Sequence, residues 1–196
     1  MTDLDGISGL SRNMPSTVTL KVYFLGPIAG KTPLWIRMAR LRFSHIAFAL
    51  GNKLWDQPFN DYCHVYDEAD WLAKKRLADD REHAVFTVTG RMDWWSVNDT
   101  LRELEGVRSI PFLIALRWLV LWPAPVRNCV TPVRMMLNNM GLDMRRSYAL
   151  EKEETPDGIY KALRQAAQGF GHALYRLDTC VTQVAGGSIR PDPSPD

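Results

Sequence analysis

The 196-residue chain is poor in the residues that build metal centres and disulfide frameworks, with three cysteines (63, 129, 180) and four histidines (45, 64, 83, 172). The cysteines are odd in number and widely spaced, and none forms a Cys-x-x-Cys pair. That excludes a disulfide scaffold and gives no zinc-ligand spacing, so a reducing compartment is the simpler setting. Charge of one sign is missing too: 24 basic against 22 acidic residues leave a net charge of +2. Nucleic acid is therefore not expected as a partner. The local cluster of Lys31, Arg37, Arg40 and Arg42 reads as the solvated face of a helix.

Long apolar runs are absent as well. The best candidate, "IPFLIALRWLVLW", covers residues 110–122, only 13 positions, and contains Arg117. A spanning helix needs about 20 apolar residues, so this is expected to be a buried helix. An interfacial helix is the second reading, because Trp118 and Trp122 flank it. The first 16 residues are acidic and polar and lack the apolar stretch of a signal peptide. The expected location is cytoplasmic, with no transmembrane helix.

What is present is an ordinary globular composition, 46% hydrophobic and 23% charged, at a length that suits one well-cored domain. Residues 17–26, "TVTLKVYFLG", read as a strand ending at Gly26-Pro27. A helix is expected from the Thr32-Pro33 pair, with Leu34, Met38 and Leu41 as its stripe. "SHIAFAL" (44–50) reads as a strand that Gly51-Asn52 turns into a hairpin partner, "KLWDQPF". Helices are expected at 67–78 and 96–106, with the strand 83–90 between them. Two more should come after the 111–122 helix, one near Cys129 and one at 155–170 opened by Thr155-Pro156. Residues 1–16 and 179–196 have the composition of flexible arms flanking a single domain at 17–178. Such polar arms suit contacts with a second copy or with the partners of an assembled particle.

Intracellular cysteine hydrolysis needs a thiol, a base and a polar group that orients the base. Cys180 and His172 border the tail, and Cys63 and His64 are adjacent and would point to opposite sides of a strand. His83 lies beside Arg81 and Glu82 and reads as a surface residue. Cys129 and His45 remain. Strand alternation puts His45 with Ala47 and Ala49 on a face of small side chains, which would admit a close helix. Taken alone, His45 is a core histidine and Cys129 a small buried apolar residue. A helix N-terminus at Cys129 would favour its thiolate. Thr131-Pro132, however, is itself a cap pair that would start the helix two residues later.

Ser44-His45-Ile46-Ala47-Phe48 with Gly51, followed far downstream by Asn128-Cys129 with Val130 and Val133, resembles the circularly permuted branch of the papain-like NlpC/P60 superfamily. That branch includes lecithin:retinol acyltransferase-like proteins and bacterial and phage hydrolases. The "TPDGIYKAL" segment is also similar to the helix downstream of the cysteine in phage members. The resemblance implies an α+β papain-like fold, a small antiparallel sheet packed against a nucleophile-bearing helix. It implies Cys129 as nucleophile, His45 as base and a third polar residue on the strand after the histidine. Counting without gaps puts that residue at Gln57, with Asp56 one step away. A glutamine fixes a tautomer but stabilises an imidazolium less than a carboxylate would. The implied activity is peptidase or amidase chemistry on a peptide or amide substrate, with peptidoglycan peptides as the family-level expectation and no metal or organic cofactor. A lipid-directed acyltransferase or thioesterase with membrane contact through 111–122, and a virion or structural protein that keeps the fold with weak catalysis, are the rival readings.

Overall fold

Strand β1 (Ser16–Leu25) is built from alternating β-branched and aromatic residues, and it organises the sheet by pairing on both edges. The computed structural model describes residues 15–27, 42–58, 61–78, 83–104, 128–142, 155–168 and 179–184. Among these, six strands form one antiparallel sheet in the order β4-β3-β2-β1-β5-β6. They are β1, β2 (His45–Leu50), β3 (Lys53–Asp56), β4 (His64–Asp67), β5 (His83–Met92) and β6 (Cys180–Val184). Four helices accompany them: α1 (Glu68–Ala78), α2 (Trp94–Leu104), α3 (Val130–Asn139) and α4 (Pro156–Ala167). The architecture is α+β.

The two faces of the sheet bury different partners. Val18, Leu20, Val22 and Phe24 of β1, with Ile46, Phe48, Phe86 and Val88, form the larger core with α2, α3 and α4. Phe24 lies at its centre, 5.4 Å from Phe43, 5.7 Å from Phe86 and 5.5 Å from Tyr160 between ring centroids. The opposite face carries Tyr23, Leu25, Ala47, Ala49 and Leu54 and is covered by Trp71 of α1. Alternation along each strand makes this division, because successive side chains leave the sheet on opposite sides.

Local signals place the helix starts. Asp93 opens α2, accepting from the Ser96 backbone N–H at 2.9 Å and from its hydroxyl at 2.5 Å. Thr155 caps α4 by accepting from Gly158 N–H at 3.1 Å, and Pro156 occupies the first helical position. The β2–β3 hairpin turns on Gly51 and Asn52; Gly51 has φ 63°, which glycine adopts without strain.

Three departures from expectation concern strands. β4 lies where the sequence offers only Cys63-His64-Val65-Tyr66 ahead of the acidic start of α1, and it pairs with β3. β6 corrects the assignment of 179–196 to a flexible tail and the domain end at 178: Cys180–Val184 pairs with β5, and Val181 packs on the larger core. Its half-exposed alternation is a true edge-strand pattern, masked in the sequence by the glycine- and proline-rich residues after it. Ser16 likewise belongs to β1 rather than to the N-terminal arm. The helix expected from Thr32, the apolar segment 111–122, His172 and the remaining arm residues lie outside the described residues. Among the described residues no helix is long and apolar enough to cross a membrane.

Candidate active site

The hairpin register decides which side chains can meet His45. Across β2 and β3, Ala47 stands opposite Asp56 and Phe48 opposite Trp55. Directly opposed residues share a face, so Asp56 lies on the face of Ala47 and His45, diagonal to the histidine and within reach of a ring. Gln57 has the wrong parity and leaves the sheet on the other side.

The side chains obey this register. His45 Nε2 is 2.5 Å from Asp56 Oδ1, and the indole N–H of Trp71 donates to Asp56 Oδ2 at 2.8 Å. The expected partner, Gln57, does not hold that place. It is buried, donates its amide to the Asp61 carbonyl at 2.7 Å, and its Oε1 has no hydrogen-bond partner. The parity was legible from the two-residue turn at Gly51-Asn52, which pairs Leu50 with Lys53 and so sets the face of every later β3 residue. An ungapped count from Gly51 overlooks it.

Cys129 stands at the N-terminus of α3. Its backbone is already helical, φ −59° and ψ −21°, so it belongs to the first turn rather than to a lead-in before Thr131. The reason is Asn128. Its Oδ1 accepts from the backbone N–H of Val130 at 3.0 Å and of Thr131 at 3.1 Å. Thr131 Oγ1 returns the arrangement by accepting from Asn128 N–H at 3.2 Å. Thr131 therefore completes a cap that Asn128 begins, and Pro132 sits in the first turn, where a missing N–H costs nothing. Among the described residues nothing accepts a hydrogen bond from the Cys129 backbone N–H.

The approach of the helix also differs from expectation. The small face of β2, Ala47 and Ala49, receives Trp71 of α1, not the cysteine helix. Helix α3 packs on the opposite face, through Val130, Val133, Met136 and Leu137 against the core that holds Ile46 and Phe48. His45 is the first residue of β2 and Cys129 directly precedes α3, so the interaction of the Cys129 side chain with the imidazole is made at the end of the strand rather than across its face.

The electrostatics tie these groups together. Burial works against protonation of His45, but the Asp56 carboxylate, its hydrogen bond, and the hydrogen bonding and charge of Cys129 outweigh it, raising the pKa to about 10. Burial likewise raises Asp56, and the charge and hydrogen bond of His45, the Trp71 N–H and the charge of Lys75 overcome it, lowering the carboxyl to about 2. Each of the two groups thus favours the charged form of the other. With Nε2 committed to Asp56, Nδ1 is the ring nitrogen left for the thiol.

The other thiols and imidazoles are placed differently. Burial, then the Asp56 charge, pushes the Cys63 thiol up to about 12, and Cys180 is exposed on β6. His64 pairs with Asp61 at 3.1 Å near the surface, and His83 begins β5. Among the described residues no three His, Cys, Asp or Glu side chains are grouped to hold a metal ion.

No protein-family model matches the chain, and it has no match among the curated proteins or among the solved structures.

Proposed function

We propose that the protein is a thiol-dependent hydrolase of amide, peptide or ester bonds, with Cys129 as nucleophile, His45 as acid and base, and Asp56 as the group that orients His45. The observation that carries this reading is the convergence of a helix-terminal thiol and a buried carboxylate on one imidazole. The papain-like permuted resemblance fits the same arrangement: histidine strand first, nucleophile helix later.

The placement dictates the chemistry. A thiolate beside an imidazolium attacks the substrate carbonyl carbon, and the carbonyl electrons move to oxygen. The Cys129 backbone N–H is one donor for that oxyanion, as part of the helix N-terminus. His45 passes its proton to the departing amine or alcohol, leaving a thioester on Cys129. Water then attacks the thioester, His45 accepts its proton, and the acid is released with the thiol restored. Asp56 holds the ring in one tautomer and offsets its positive charge throughout.

Asp56 as third residue also removes one ground for the weakly catalytic, structural-protein reading, the glutamine expected in that position. The deciding experiment is intact mass measurement after mixing with an activated acyl ester. A covalent acyl adduct on Cys129, absent in Cys129→Ser, is the expected result. Acylation of Cys180 alone, or of nothing, would overturn the assignment.

A further inference from the structure

Both oxygens of the Asp56 carboxylate are engaged, and the second bond comes from a helix that carries none of the three catalytic groups. Trp71 is buried at the centre of the smaller core, and its indole N–H donates to Asp56 Oδ2. A carboxylate held at one oxygen can rotate and break its bond to the imidazole. Held at both, with His45 on Oδ1 and Trp71 on Oδ2, it has one orientation.

The placement of Trp71 is itself over-determined. Its ring sits 5.6 Å from that of Tyr23, tilted by 58°. The Tyr23 hydroxyl donates to Glu68 Oε1, and Lys21 donates to both Glu68 oxygens at 2.9 Å. Glu68 opens α1, and its backbone N–H donates to the Asn52 carbonyl in the β2–β3 turn at 2.8 Å. Helix α1 is therefore pinned to β1 and to the catalytic hairpin at its first turn, one turn ahead of Trp71. Lys75, a further turn along the same helix face, adds its charge toward Asp56.

We propose that Trp71 is a positioning residue for the hydrolytic site, fixing the Asp56 carboxylate so that His45 is held in the orientation that serves Cys129. The inference rests on the hydrolase reading. It predicts that removing the indole N–H, with the ring's bulk kept, changes the reactivity of Cys129 by way of Asp56 and His45. Losing it leaves a buried carboxylate oxygen without a donor, which favours rotation of the group away from the ring.

The experiment uses the full chain with Cys63→Ser and Cys180→Ser, so that only Cys129 is alkylated. Trp71→Phe is compared with a protein carrying benzothienylalanine at position 71, which replaces the N–H by sulfur at nearly constant shape. Two readouts are tracked: the rate of Cys129 alkylation by iodoacetamide, and the downfield ring N–H proton resonance of His45, assigned by its loss in His45→Ala. Both proteins should alkylate about ten- to a hundredfold more slowly, the range typical of outer-shell partners. The resonance should move or broaden while the benzothienyl protein remains folded at the temperature of the assay. An unchanged rate and resonance in the benzothienyl protein would overturn the positioning role and leave Trp71 as packing. The parent's own behaviour separates the two levels: if its Cys129 reacts no faster than Cys180 in a protein retaining both, the hydrolase reading fails with the proposal.

Discussion

His45 Nε2 and Asp56 Oδ1 are 2.5 Å apart across the β2–β3 hairpin, although 11 positions separate them in the chain. A two-residue turn makes that diagonal contact, and the contact favours the charged form of a strand histidine. The candidate chemistry depends on it.

Asp56→Asn is the most direct test of this pair. The amide keeps the shape but can present its NH2 to the ring and favour the wrong tautomer. Turnover should fall by about a hundred- to ten-thousandfold. Gln57→Ala should leave turnover within severalfold of the parent and mainly cost stability, because its amide braces the Asp61 carbonyl. Steady-state rates of the two variants side by side would decide between the residues, and a larger loss at Gln57 would reverse the assignment.

Selective labelling should separate the thiols. Cys129 has an imidazolium beside it, whereas burial and the Asp56 charge hold Cys63 protonated up to about pH 12. Iodoacetamide at neutral pH should modify Cys129 first and leave Cys63 untouched in the folded protein, as read by peptide mapping. Cys129→Ser should abolish turnover and shift the melting temperature by no more than a few degrees. A large destabilisation would point to a packing role instead.

The pH dependence has a definite sign at each end. His45 has a higher pKa folded, about 10, than its ordinary 6.5, so the pair's stabilisation is complete below 6.5 and is lost as pH rises toward 10. Asp56 has a lower pKa folded, about 2, than its ordinary 3.8, so its contribution is complete above 3.8 and is lost as pH falls toward 2. Denaturant titrations should show stability declining between 6.5 and 10, with that slope flattened in His45→Ala. Turnover should fall on the same alkaline side, because a neutral ring cannot protonate the leaving group.

Asn128 should matter more than its place outside the helix suggests. Asn128→Ala removes the acceptor for Val130 and Thr131 N–H, costing about 1 kcal/mol. It also frees the turn that aims Cys129, so the loss in turnover should exceed the loss in stability. Asn128→Asp keeps the acceptor and should restore both.

The larger core sets the scale of stability. Phe86→Ala removes a fully buried ring packed edge-on against Phe24 and Tyr160. It should cost about 3–5 kcal/mol in chemical denaturation.

Much of the fold was legible in the residues themselves. The β-branched runs of β1 and β5, the Gly51-Asn52 hairpin and the Thr155-Pro156 cap all rest on local patterns, whereas the choice of Cys129 and His45 as a pair came from the family resemblance. Such patterns report backbone preference and face, and those are properties of neighbouring residues. Long-range register decided the rest. It brought β6 onto β5, a strand whose own five residues carry too little apolar surface to announce themselves. The sheet's two-sidedness set Trp71 under Asp56 and left α3 on the opposite face. The choice of Asp56 over Gln57 lies between the two. Its parity is encoded in a two-residue turn, but only the paired hairpin converts that parity into a carboxylate touching an imidazole, because a hydrogen bond requires an atom to be in place, not merely on the right face.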